Sequence, residues 1–377
     1  MENLEKLNFK GKRIFLTGHT GFKGSWLALW LHRLGAKIYG YSLPPPTQPS
    51  NYVLSSISDV MTCEWLHDIR NSDLLREAIK MAQPEVVFHL AAQPLVRYSY
   101  QKPLETFDIN VMGTASLLEA LRDYGKPCAV ICITTDKCYE NREQHEGYRE
   151  TDPMGGHDPY SASKGAAELL IAAYRRSFFN PANVSEHGVQ IASARAGNVI
   201  GGGDFAQDRI VVDLVKALHE GRTLEVRNPR AIRPWQHVLE PLSGYLSLAN
   251  KMLSEPSAQW CEGWNFGPRQ ESEKTVGELV DAFIRVWGTG AWRDVSHPNQ
   301  LHEAGILKLN TEKASRKLNW HPTWTFDTML AHTAQWYQRM PHEDTRARCL
   351  ADIEIYEQEA AATGTNRACG QNVQGEV

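Results

Sequence analysis

Short apolar runs alternate with helix-length segments through the first half of the chain. Ile14-Phe15-Leu16 breaks at Gly18 and resumes as Ser25-Trp26-Leu27-Ala28-Leu29-Trp30-Leu31, which reads as a buried strand, a glycine turn and a helix. Ala36 to Ser42 reads as a second strand, ended by Pro44-Pro45-Pro46. Glu64 to Arg70 follows, then a helix over about 72–82 and a strongly apolar strand from Glu85 to Ala92. A helix is expected after Pro103. Another apolar strand starts at Ala129 and turns polar at Thr134-Thr135-Asp136, and a helix runs from His157 to about Phe179. This alternation predicts an α/β fold: a doubly wound parallel sheet with helices on both faces. Ligands of such sheets sit outside the carboxyl ends of the strands. Asp68, Ala91-Ala92 and Thr134 to Lys137 are therefore expected on the glycine turn's side. Trp26 and Trp30, four residues apart, are expected to pack as core.

Composition narrows the partners. A chain of 377 residues can bury one large core or two modest ones. Its net charge of −4 offers no basic field for nucleic acid or an anionic membrane. Seven cysteines without a C-x-x-C point to reduced thiols, with neither a zinc site nor a disulfide framework. Met1 to Lys12 is polar and charged, unlike a secretion signal, and no apolar run approaches the ~20 residues of a membrane helix. A cytoplasmic protein without a metal is expected.

Candidate chemistry begins in the turn Gly18-His19-Thr20-Gly21-Phe22-Lys23-Gly24. Its G-x-x-G-x-x-G spacing would let the backbone approach a pyrophosphate, with the N–H groups of a helix N-terminus facing it. Ser42 stands at the end of the second strand, where an acid often holds the adenosine ribose and an arginine would hold a 2′-phosphate. On balance NAD is favoured over NADP. Tyr160 and Lys164 are spaced i, i+4 and project from one helix face, where the ammonium would lower the phenol's pKa toward neutrality and make it a usable base.

Taken together, Gly18-x-x-Gly21-x-x-Gly24, Asp68-x-Arg70, His89-Leu90-Ala91-Ala92, Asn110-x-x-Gly113-Thr114, Tyr160-x-x-x-Lys164 and Arg195 to Gly201 resemble the extended short-chain dehydrogenase/reductases in order and spacing. Asn310 to Ala314 and Leu318 to Pro322 resemble that branch's closing motif, so the likeness covers about residues 10 to 340. Thr135-Asp136-Lys137 resembles the trio of the nucleotide-sugar 4,6-dehydratases, with Lys137 where most carry glutamate. That departure, with Gln93 to Arg97 and Arg233 to His237, is similar to the branch acting on CDP-D-glucose.

The resemblance implies a Rossmann-type domain over 1–190, to which parts of 190–270 return, and a nucleotide-sugar-binding region mainly over 191–345. The tail over 346–377 is polar at its end, Thr363 to Asn366, and is expected to fray. It implies that Gly18 to Gly24, Asp68, Ile69, Leu90, Ala91, Ala92, Tyr160 and Lys164 hold NAD. Tyr160, with Lys164 and Thr135, would take the sugar's 4-hydroxyl proton while hydride leaves C4. Asp136 would protonate the departing 6-hydroxyl, and Lys137 would either take the C5 proton or steady the enolate. Gln93, Asn198, Arg209, Arg227 and Arg233 are the candidate substrate contacts, with one arginine on the pyrophosphate. Gly201-Gly202-Gly203-Asp204 reads as a flexible crossing between the two regions. His19, where the superfamily carries a small residue, predicts a loosely held cofactor. The branch also implies a homodimer or homotetramer paired through helices near 103–124 and 158–179. A net redox enzyme or epimerase of the same superfamily, or a scaffold that has lost its chemistry, are the other readings.

Overall fold

The computed structural model describes residues 7–297, 305–340 and 342–371, with side chains placed up to residue 363. Seven parallel strands make the central sheet: β1 (Arg13–Thr17), β2 (Lys37–Ser42), β3 (Cys63–Leu66), β4 (Val86–His89), β5 (Cys128–Ile133), β6 (Val189–Arg195) and an edge strand, Gly263–Asn265. Their spatial order is β3-β2-β1-β4-β5-β6 and then the edge strand. The order reverses between β1 and β4, so the crevice that receives a ligand opens where the glycine turn leaves β1 and Leu90-Ala91 leaves β4.

Both faces of the sheet are covered. Ile14, Leu16, Val86, Phe88 and Ile131 enter one hydrophobic cluster, while their neighbours Phe15, Val87 and Val130 enter the other. Period-two alternation with apolar residues on both faces is what a buried parallel strand requires. Trp26 and Trp30 lie wholly inside the first cluster. The helix Ser72–Ala82 starts under an Asn71 cap that accepts the Leu74 N–H.

Three expectations change. The helix after Pro103 is interrupted: Pro103–Phe107 passes through a π turn, Asp108–Met112, before Gly113–Tyr124. The wider turn holds Asn110 inward, where its amide donates to Gln93 O at 3.1 Å and Ser163 Oγ at 2.8 Å. The crossing Gly201 to Asp204 is not a flexible connection but a buried one. Trp26 Nε1 donates to Gly202 O at 2.9 Å, Tyr337 OH donates to Asp204 O at 2.6 Å, and a Cβ on Gly202 would lie 2.0 Å from the Trp336 ring. The segment from Thr345 is a helix, Thr345–Gln371, docked through Cys349, Ile353, Tyr356 and Ala360. Those positions recur at helical spacing and form one apolar stripe, which anchors the segment as far as Ala360, short of the polar stretch that begins at Thr363. Residues 1–6 and 372–377 lie outside the described residues.

The second half of the chain adds the helices Ile210–His219, Leu239–Ser254, Val276–Trp287 and Phe326–Arg339, with short strand pairs such as Leu224–Val226 on Trp292–Asp294. Among the described residues no helix is long and apolar enough to cross a membrane.

Candidate active site

The turn after β1 is built for close approach. Gly18 has φ 75°, and a Cβ there would lie 2.7 Å from Ala91 N. A Cβ on Gly24 would lie 2.1 Å from Gly18 O. Gly21 caps the helix Phe22–Arg33 with no side chain, and no acid stands in the first turn, so its N-terminal N–H groups face the crevice uncovered. The cradle fits a dinucleotide's pyrophosphate.

Behind it, Thr17 Oγ1 accepts from the N–H groups of Leu90 and Ala91, each at 3.1 Å, and bonds His89 Nδ1 at 2.8 Å. Thr114 Oγ1 donates to Asn110 O at 2.7 Å and therefore accepts from His89 Nε2 at 3.0 Å. This assigns the His89 proton to Nε2 in a neutral ring, and burial pushes its pKa down to about 3. The strand ends that shape the crevice are thus tied together by a proton-ordered chain.

Several of the expected cofactor contacts carry other duties. His19 is buried against β2, with Nε2 2.8 Å from Glu64 Oε2, and a Cβ on Gly40 would lie 2.6 Å from its Cε1. Burial lowers its pKa, while the Glu64 carboxylate pulls it back up. Glu64 also accepts from Tyr52 OH at 2.9 Å, and Thr20 Oγ1 bonds Ser42 Oγ at 2.7 Å. The sequence reading does not single out Glu64, because β3 lacks the apolar run that would mark it as a strand. Asp68 grips Arg70 at 2.7 and 3.0 Å, which holds its carboxyl below the usual range, and Ile69 packs under Gly113. Phe22 packs against the core. Lys23 meets the chemical groups: burial pushes its pKa down to about 7, Arg209, Lys164 and Lys137 push the same way, and Asp136 opposes.

At the tip of β5, Thr135 caps a short turn, Asp136–Cys138, and its hydroxyl donates to Asp136 Oδ1 at 2.9 Å. Asp136 is fully buried, and its Oδ2 makes no hydrogen bond among the described residues. Lys137 Nζ stands 3.5 Å from Asp136 Oδ1 and is partly exposed to the cavity beyond.

Tyr160 and Lys164 project from the helix Pro159–Ser177, whose first turn is fixed by an Asp158 cap and by the Tyr160 N–H donating to Ser99 Oγ at 3.1 Å. The phenol is not lowered toward neutrality as the spacing suggests. Burial pushes it up to about 12, against the pull of Arg209 and of its hydrogen bond with Thr135. Lys164 is itself pushed down to about 8 by burial, with Glu168 opposing. In the protein alone, desolvation outweighs the positive charge that Arg209 sets near the phenol.

Glu168, one turn beyond Lys164, is a group that sequence reading passes over. It accepts from Thr134 Oγ1 at 2.5 Å, Ser193 Oγ at 2.7 Å, and Arg195 Nε and Nη2 at 2.9 and 2.8 Å. This buried pair joins the tyrosine helix to β5 and β6 directly beneath Thr135. The partners are 27 residues apart, so no local pattern announces them.

Beyond Lys137 opens a cavity of about 1130 Å³, which Asn198, Arg209, Arg227 and Arg233 also line. Asn198, at φ 47°, keeps its buried Oδ1 without a described partner. Arg233 is buried, its Nη1 donating to Ile232 O at 2.9 Å. Arg227 reaches Asp208 at 3.3 Å, and Arg209 stands 4.0 Å from Asp204. Gln93 does not join them: its amide donates to Leu95 O and Thr106 Oγ1, and its Oε1 accepts the Leu95 N–H. It struts its own loop, while Pro94 to Arg97 reach the cavity.

A crevice that sets a redox-cofactor cradle against a tyrosine, a lysine and a separate buried acid defines an enzyme of the extended short-chain dehydrogenase/reductase kind. A family model described as GDP-mannose 4,6 dehydratase matches residues 15–333. A CDP-glucose 4,6-dehydratase of Salmonella typhimurium is 51% identical over 335 residues, covering 89% of this chain and 93% of that one. The chain belongs to this family of nucleotide-sugar 4,6-dehydratases, and it is a hydro-lyase. Two dTDP-glucose 4,6-dehydratases of known structure share its fold. One, from Bacillus anthracis in complex with NAD, is 24% identical with a TM-score of 0.72, covering 90% of this chain and 100% of that chain. The other, from Streptomyces venezuelae with NAD and TYD bound, is 23% identical with a TM-score of 0.74, covering 87% and 97%.

Proposed function

We propose that the chain converts CDP-D-glucose to CDP-4-dehydro-6-deoxy-D-glucose with NAD kept through the cycle. The observation that carries dehydration is Asp136, a fully buried acid with one oxygen unpartnered, bonded to the threonine that also bonds Tyr160. Simple epimerisation or net oxidation has no use for an acid there. The 51% identity to the Salmonella CDP-glucose enzyme supports cytidine as the base.

Bound NAD supplies an acceptor for hydride from C4 and a donor of the same hydride to C6. Tyr160 takes the 4-hydroxyl proton. Its high pKa makes it a base only in a field of positive charge, and Arg209 contributes to that field. The 4-ketone acidifies the C5 proton, which Lys137 removes or whose departing charge it steadies. Asp136 delivers a proton to the 6-hydroxyl, which leaves as water. A proton returned to C5 completes the product, so the balance is the loss of one water.

The diphosphate lies along Arg209 and Arg233 with Asn198, so residues 191–345 mainly hold the nucleotide and 1–190 the cofactor. The product serves 3,6-dideoxyhexose synthesis in the cytoplasm. A homo-oligomer pairs through the helices around 103–124 and 158–179, which leave Leu104, Met112, Leu169 and Phe178 exposed.

Purified protein with added NAD, given CDP-, UDP- and dTDP-glucose in parallel, tests this by mass spectrometry. Loss of one water from CDP-glucose without accumulating NADH is expected. Stoichiometric NADH, or an epimer of unchanged mass, would overturn the dehydratase reading.

A further inference from the structure

The cavity for a doubly anionic diphosphate also contains acids, which would repel that ligand unless they meet something else. Most are engaged. Asp208 pairs with Arg97 at 3.4 Å and Arg227 at 3.3 Å, Asp158 caps the tyrosine helix, and Glu225 pairs with Arg293. Asp213 is different. It lies in the first turn of the helix Ile210–His219 and lines the cavity half-buried, and its carboxylate, like that of the exposed Glu140, makes no hydrogen bond or ion pair among the described residues.

Its place along the cavity follows from the helix. The Asp213 N–H donates to Arg209 O at 2.9 Å, so Asp213 stands one turn along from Arg209. Asp208, next to Arg209, is tied to Arg97 and Arg227, and Arg227 lines the same cavity as Asp213. A nucleotide sugar laid out with its sugar at Tyr160 and its phosphates at Arg209 brings its base to Asp213.

We infer that Asp213 reads the cytosine edge and sets the preference for CDP-sugars. The inference rests on the CDP-glucose reading and deepens it. Cytosine offers an N4–H₂ donor beside the N3 acceptor, whereas uracil and thymine offer an O4 acceptor beside an N3–H. The ionised Asp213 carboxylate, an acceptor only, accepts from N4. Burial and the nearby Asp208 penalise that charge, and the N4–H₂ donor offsets the penalty. Opposite O4, the same carboxylate sets acceptor against acceptor.

The test is the ratio of kcat/KM for CDP-glucose to that for UDP-glucose in the wild type, Asp213→Asn and Asp213→Ala. A ratio within one protein sample is independent of how much of it is folded. An asparagine can turn its amide to suit either base, so Asp213→Asn should bring the ratio toward one by admitting UDP-glucose. Asp213→Ala should lower it by losing CDP-glucose. One charge-assisted base contact corresponds to a change of roughly 10- to 150-fold. A wild type that prefers CDP-glucose, with the same ratio in both variants, overturns the role of Asp213 alone. A wild type without preference for CDP-glucose overturns the substrate reading and this inference with it.

Discussion

A Cβ on Gly197 would lie 1.7 Å from Asp136 Oδ2, so the buried acid occupies space that the glycine leaves open. Gly197→Ala should displace Asp136 without touching Tyr160 or the cofactor turn. Dehydration should fall by about 10²-fold or more, the scale of one general acid, while bound NAD is retained. Turnover by mass spectrometry and NAD content of the purified variant check this, and near-normal turnover would count against Asp136 as the acid.

The pH dependence should carry the mark of Lys164. Burial places its pKa at about 8, below its ordinary value, so the ammonium is present below that pH and lost above it. Activity that needs the charge should decline as pH rises through about 8. Glu168 opposes the shift, so Glu168→Gln should move the decline to lower pH. Profiles of kcat/KM for both proteins decide the matter.

Glu168→Gln should also unfold more readily. Burial pushes the Glu168 carboxyl up, yet Arg195 and the hydroxyls of Thr134 and Ser193 outweigh it and hold the pKa at about 2. Because the folded pKa lies below the ordinary value near 4.5, this stabilisation is present above that pH and is lost as pH falls toward 2. Leaving Arg195 buried without its partner costs about 3–5 kcal/mol. Urea unfolding at neutral pH should show a loss of that order.

The exposed Leu169 and Phe178 should lie in the contact between subunits. Leu169→Lys with Phe178→Glu should halve the solution mass or reduce it further, read by light scattering, and leave the far-ultraviolet circular dichroism in place. A wild type that already runs at the mass of one chain would remove the basis for the pairing.

Much of this was legible in the residues. The strand–helix alternation places the sheet, since buried parallel strands must be apolar throughout, and i, i+4 spacing puts Tyr160 and Lys164 on one face. Local pattern does not report what depends on distance in space. The phenol's pKa follows from the water excluded around Tyr160, a quantity that spacing does not contain. Glu168 meets Arg195 only after β6 is laid beside β5. Gln93 matches a motif, but its loop geometry turns its amide onto Leu95 and Thr106. The tight crossing at Gly202 reads as loose because glycine looks the same whether it serves a hinge or makes room for a tryptophan ring.

The helix Thr345–Gln371 lies against the back of the helix that follows the glycine turn. Trp30 Nε1 and Arg33 Nε both donate to Glu357, at 2.8 and 3.0 Å, and the Trp30 ring meets Tyr356 edge-on. Trp30 and Glu357 stand 327 positions apart. During synthesis the ribosome delivers the first of them long before the second exists, and the apolar back of the cofactor helix stays bare meanwhile. A message cut short before residue 345 would encode the whole sheet and every reacting side chain, but neither the Glu357 nor the Tyr356 on which Trp30 rests.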